Sequence, residues 1–128
     1  MRLIALRSAV LRCGMAALLL AAAPAIMHAQ RDWDRARSLV SQSNHDLSQI
    51  SEIATMSGRE REPYDNALHH LSEFDQGLAH SRFDKGKLDD AINDIDNVCK
   101  NNTLAPGERD VLLGDLRRLR DLRADWKD

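Results

Sequence analysis

Aromatic side chains make up 4% of this sequence, two Trp, one Tyr and two Phe, and β-branched residues never gather into a run. Both scarcities argue against a sheet, whose strands draw on those residue types. Proline occurs three times and cysteine twice, so neither a proline-rich linker nor a disulfide framework is written here. No Cys-x-x-Cys-His is present, which excludes covalent haem attachment. No Glu-x-x-His pair is present either, which excludes the inward carboxylate and histidine ligands of a dinuclear metal bundle. Nothing in the chain specifies a catalytic constellation, and neither an enzyme nor a cofactor is expected.

Acidic residues are missing from the first thirty positions. Arg2, Arg7 and Arg12 precede an apolar run from Cys13 to Ile26, and small or turn-forming residues follow up to Ala29. That is the layout of a secretory signal peptide. The run is about 14 residues, short of the roughly 18 to 20 that span a bilayer as a helix, so no permanent membrane anchor is expected once the leader is removed. Cleavage is expected after Ala29, with Ala23-Pro24-Ala25 as the second site. Cys13 precedes the apolar stretch and is misplaced for lipid attachment. The expected organisation is a leader at 1–29 and one domain at 30–128, in a periplasmic or secreted protein.

The leader holds three of the 18 Lys and Arg and none of the 20 Asp and Glu. The remainder therefore carries 15 against 20, a net charge of −5, and an acidic domain is a poor nucleic-acid binder. About 99 residues suffice for one modest core and no deep interlobe cleft.

What is present is helical periodicity. Trp33, Ala36, Val40, Ser43, Leu47, Ile50 and Ala54 recur at steps of three and four, with Leu39, Asp46 and Ile53 beside them, and predict a first helix from Asp32 to about Ser57. Gly58 is read as its stop. A second helix, from about Glu60 to Arg82 with Pro63 in its first turn, carries the stripe Tyr64, Ala67, Leu68, Leu71, Phe74 and Leu78. Asp84 reads as the N-cap of a third helix to about Asn101, with Leu88, Ala91, Ile92, Ile95, Val98 and Cys99 on one face. A fourth runs from Pro106 to about Trp126, with Val111, Leu112, Leu113, Leu116, Leu119, Leu122 and Trp126 inward. Ala105 is a poor cap, and Thr103 is expected to hold that turn. Short connections favour an all-α, up-down-up-down antiparallel four-helix bundle; the alternative is three helices with a protruding first helix.

Several residues invite a chemical reading. His69, Glu73 and His80 form a stripe on the second helix, a candidate zinc or copper site, with His45 or His70 as further ligands. The stripe lies opposite Leu71 and Leu78, so it faces solvent. Asp89, Asp90, Asp94 and Asp96 form an acidic helix face that lacks the irregular loop of a calcium site. Cys99 is the one cysteine beyond the leader, a candidate for an intermolecular disulfide, although its neighbours Ile92 and Ile95 point it inward. Arg117, Arg118, Arg120 and Arg123 alternate with Asp115, Asp121 and Asp125 as a salt-bridged outer face. Gly77 and Gly114, inside helices, are read as points of close helix approach. Asn101-Asn102-Thr103 matches a glycosylation acceptor.

Three stretches, Tyr64 to Asp75, Asp84 to Ile92 and Asn102 to Pro106 with Arg109-Asp110, resemble small exported bacterial helical proteins of unassigned function. The resemblance covers about half of the chain and implies a secreted helical domain, with no ligand motif. The Leu-Thr-x-x-Gln repeat of the periplasmic envelope-stress chaperones is absent. The expectation is a non-enzymatic exported protein that binds a protein partner or a copy of itself, through Trp33, Leu39 and Ile53 on the first helix and Arg117, Arg120 and Trp126 on the last. A periplasmic metal-binding protein using the histidine stripe is the alternative.

Overall fold

The computed structural model describes residues 23–54, 56–100 and 104–127. It contains four helices, α1 (Ala23–Ile53), α2 (Gly58–Ala79), α3 (Lys85–Cys99) and α4 (Pro106–Asp125), and no strand among the described residues. Packing divides the chain into two units, Met1–Asp32 and Trp33–Asp128. Of the first, the described part is helical, and the expected cleavage site after Ala29 falls close to its end. Most of the predicted leader, with Cys13, lies outside the described residues. No described helix is long and apolar enough to cross a membrane.

The second unit is a four-helix bundle whose antiparallel register can be read from its contacts. Arg37 meets Asp75 and Arg61 reaches the Ser51 carbonyl, which pairs α1 with α2. His70 meets Asp94 and Glu73 meets Lys87, which pairs α2 with α3. Asp89 meets Arg123 and Asp96 meets Arg120, which pairs α3 with α4. Trp33 meets Trp126 at one end, while Ile50 and Ile53 share a groove with Gly107 and Val111 at the other, so α4 closes the ring against α1. Each neighbour runs opposite to the last, and α1 from Trp33 onward is packed in place.

The core is the set of stripes that periodicity marks. Ala36, Val40, Leu47 and Ile50 come from α1, Tyr64, Ala67, Leu71, Phe74 and Leu78 from α2, and all six predicted residues from α3. The α4 stripe differs. Leu112, Leu116, Leu119 and Leu122 are buried, whereas Val111 and Leu113 are 45% and 38% exposed, and a fifth inward position is taken by Asp115 at 0%. At 100° per residue, positions 111 and 113 flank the 112–115–116–119 seam on its two sides. A leucine-rich helix here has more apolar residues than core positions.

The turns correct the reading of Gly58 and bear out that of Asp84. Gly58 does not stop α1; it opens α2, one residue after Ser57. The Glu60 carboxylate reaches back to accept from both the Ser57 backbone N–H at 2.8 Å and its hydroxyl at 2.9 Å, and these bonds lower the Glu60 pKa. Ala105 is compensated by Glu108, which accepts from the Ala105 N–H at 3.2 Å; Thr103 and the glycosylation acceptor lie outside the described residues. Asp84 caps α3 as predicted, accepting from the Lys87 N–H at 3.1 Å.

The end of α2 explains Gly77. Arg82 N–H donates to the Gly77 carbonyl at 2.8 Å and Ser81 N–H to the Leu78 carbonyl at 3.0 Å, with Ser81 at φ 56°. This is a Schellman turn with serine in the left-handed position glycine favours. A Cβ on Gly77 would lie 3.0 Å from the Arg82 carbonyl oxygen. The glycine therefore accommodates the returning chain, not a neighbouring helix. Ser81→Gly is expected to stabilise the fold by about 1 kcal/mol. Gly77→Ala is expected to destabilise it by about 1 kcal/mol or more, although alanine is the better helix former. Urea unfolding of the two variants checks both signs.

Candidate interaction surface

Four of the five aromatic residues gather at the end of the bundle where α1 enters the unit and α4 leaves it. Trp33 lies edge-on to Trp126 with centroids 4.7 Å apart, Phe83 stacks on Trp126 at 4.2 Å and 9°, and Phe74 meets Phe83 edge-on at 5.1 Å. Trp33, Phe83 and Trp126 are half-buried and packed against the core. The two tryptophans expected in binding thus close one end of the bundle together. Leu39 is also half-buried against the core.

The opposite end is different in character. Ile53 is 73% exposed, the highest among the large apolar side chains of the described residues. It lines a groove of about 260 Å³ between α1 and α4 with Ile50, Val111 and Gly107, beside the polar Asp46, Gln49 and Glu108. On the other flank of α4, Leu113 and Leu116 line a second depression of about 380 Å³ with Asp110, Arg117 and Arg120. Among the described residues, all three exposed large hydrophobics therefore sit on these two flanks. Of the residues expected in binding, Ile53, Arg117 and Arg120 lie on this surface, while Trp33, Leu39 and Trp126 do not.

Beneath the first groove is a polar cluster that the charge pattern of α4 conceals. Asp115 is fully buried; its Oδ1 accepts from Arg118 Nη2 at 2.5 Å, and its Oδ2 finds no donor. Burial raises the Asp115 pKa; Arg118 opposes this, and Asp46, within hydrogen-bonding reach, adds to it. Two carboxylates are both acceptors, so they bond only when a proton sits between them. The hydroxyl of Ser43, one turn from Asp46 on α1, is also buried without a partner. Ser43 was legible as the polar break in the α1 seam, and Asp115 was readable in the same way, three residues after Leu112 and four before Leu119.

The histidine stripe is divided between partners. His69 Nε2 lies 3.6 Å from Glu73, whose other oxygen accepts from Lys87 Nζ at 2.9 Å. That bond holds the Glu73 pKa down and the Lys87 pKa up. His80 caps the end of α2, about 10 Å along the axis from Glu73, and His45 is exposed on α1. His70 instead faces α3, its Nδ1 2.5 Å from Asp94. Among the described residues no three His, Cys, Asp or Glu side chains are placed to hold a metal ion together.

The acidic face of α3 is occupied on both sides: Asp94 by His70 of α2, Asp89 by Arg123 and Asp96 by Arg120 of α4, with Lys100 also on Asp96 at 2.7 Å. It joins helices, a role a solvated charge run does not reveal in sequence. Cys99 is free, 8% exposed and among the core residues. Burial pushes its thiol pKa up, which reduces the thiolate that disulfide exchange requires.

No protein-family model, curated protein or solved structure matches this chain. The reading of function therefore stands on the surface itself.

Proposed function

We propose that this is an exported, non-enzymatic protein of the cell envelope that acts by binding another protein in the groove between α1 and α4. The observation that carries the reading is Ile53, 73% exposed at the rim of an apolar groove it shares with Ile50 and Val111. Leaving such a side chain in water forgoes about 1.5 to 3 kcal/mol of burial, and a partner that covers it recovers that energy. Asp46 and Glu108 border the same groove, so the fitting partner is an amphipathic helix with apolar anchors and basic flanks. The acid-free, arginine-bearing leader supports export, and the acidic remainder supports a protein partner over nucleic acid.

A photocrosslinking side chain placed at Ile53 in the full-length protein, expressed in its host, is expected to capture an envelope protein. The same group at Ser72, exposed on α2, is not. Equal capture from both positions, or none from Ile53, overturns the proposal. The Ile53→Asp and Val111→Asp double variant should keep its helical circular dichroism and lose the crosslinked partner.

A further inference from the structure

We infer that the outer face of α4 is a self-association surface on which a second copy of this chain lies antiparallel. This deepens the reading of the protein as one that works by association, and it uses the flank of α4 away from the Ile53 groove. The depression there has a definite polarity along the helix. Asp110 stands at its N-terminal end, Leu113 and Leu116 form its middle, and Arg117 and Arg120 stand at its C-terminal end. A surface that reads acidic, apolar, basic matches itself when a second copy is turned end over end. Asp110 of each copy then faces Arg117 of the other, about 10 Å apart along one helix, while the two Leu113 side chains meet near the two-fold axis. An isologous contact of this kind closes with two copies.

Gly114 supports the same placement. It lies within α4 beside Leu113, where glycine costs about 1 kcal/mol relative to alanine. A Cβ there would meet only the Arg118 guanidinium, at 4.0 Å. Unlike at Gly77, no returning chain within the fold needs the space. Its bare backbone stands level along the axis with the middle of the strip, outside the lining of the depression, and lets a second helix approach closely on that side. Leu113 is 38% exposed, and the second copy's Leu113 is the side chain that covers it. A contact of one helix on one helix falls in the small interface class, so the dimer is expected to dissociate on the order of micromolar.

The test is a charge exchange read by sedimentation velocity on the untagged protein purified from the host envelope. The unaltered protein should show a concentration-dependent monomer–dimer equilibrium. Asp110→Arg opposes arginine to arginine across the axis, Arg117→Asp opposes aspartate to aspartate, and each should weaken the dimer at least about tenfold. Mixed in equal amounts, the two variants should dimerise again, because each now supplies what the other lacks. That rescue also shows that both variants are folded. A protein that stays monomeric up to several hundred micromolar, single variants that dimerise as tightly as the parent, or a mixture no better than its components would overturn the inference. If the protein is monomeric while Ile53 still crosslinks to a different envelope protein, self-association fails and the groove reading stands. If neither is seen, both fail.

Discussion

At pH 7 the Asp115→Asn variant is expected to be more stable than the unaltered protein by about 2 kcal/mol, and the gain is expected to vanish in acid. Asp115 is fully buried, its Oδ2 faces no donor, and a second carboxyl, Asp46, is its neighbour. Arg118 offsets part of the cost but is 53% exposed, so water screens its attraction. Because burial raises the Asp115 pKa in the folded state, the folded chain binds a proton that the unfolded chain has already released. Stability attributable to this group is therefore fully present below the ordinary aspartate pKa, about 3.9. It is lost as pH rises towards the elevated value. Asparagine keeps the acceptor for Arg118, offers Asp46 an amide donor and does not titrate. Urea unfolding at several pH values checks the sign: the two proteins should coincide near pH 3 and separate towards pH 7. An equal difference at every pH, or a less stable asparagine variant at pH 7, would defeat this account of the cluster.

Trp126→Ala should cost about 3 kcal/mol, an unusually large effect for a residue just past the end of α4. Truncation removes the ring that joins Trp33 to Phe83 and leaves Phe74 in contact with an unsupported Phe83. Aromatic pairs contribute about 0.5 to 1.5 kcal/mol beyond the area they bury, and two such pairs are lost at once. Trp33 fluorescence in a urea titration should report the lower midpoint, and the near-ultraviolet circular dichroism of the tryptophan pair should disappear. A loss below about 1 kcal/mol would mean that these rings lie on the bundle without closing it.

Much of this architecture is legible in sequence because one face of each helix is buried and the spacing of apolar residues records which face. All six α3 positions and the Asp84 cap could be read directly, and Ser43 appeared as a polar interruption in an otherwise apolar seam. Reading failed where composition and position disagree. In α4 the leucines outnumber the inward positions, so Val111 and Leu113 looked like core, while Asp115 was absorbed into the alternating charges that surround it. Gly58 and Gly77 were misread for another reason: a glycine's role depends on where the chain goes next, and the Arg82 carbonyl that crowds Gly77 comes from beyond the helix. Of the surface proposed for interaction, Ile53, Arg117 and Arg120 could be named from the sequence. Its partners across the α1–α4 seam come from opposite ends of the sequence, and no local pattern announces them.

That seam also orders events in time. Contacts between α1 and α2, α2 and α3, and α3 and α4 join consecutive helices, whereas the contact of Trp33 with Trp126 spans nearly the whole domain. Closing so long a loop carries the largest entropic cost in the fold, so three helices can assemble as successive hairpins before α1 and α4 meet. That late seam is also the one that contains the partnerless Ser43 hydroxyl and Asp115 Oδ2. Its backbone amides should exchange with solvent through a partial opening well below the global unfolding free energy. The face proposed to receive a partner is thus the most easily loosened part of the bundle, and a bound helix would act as its latch.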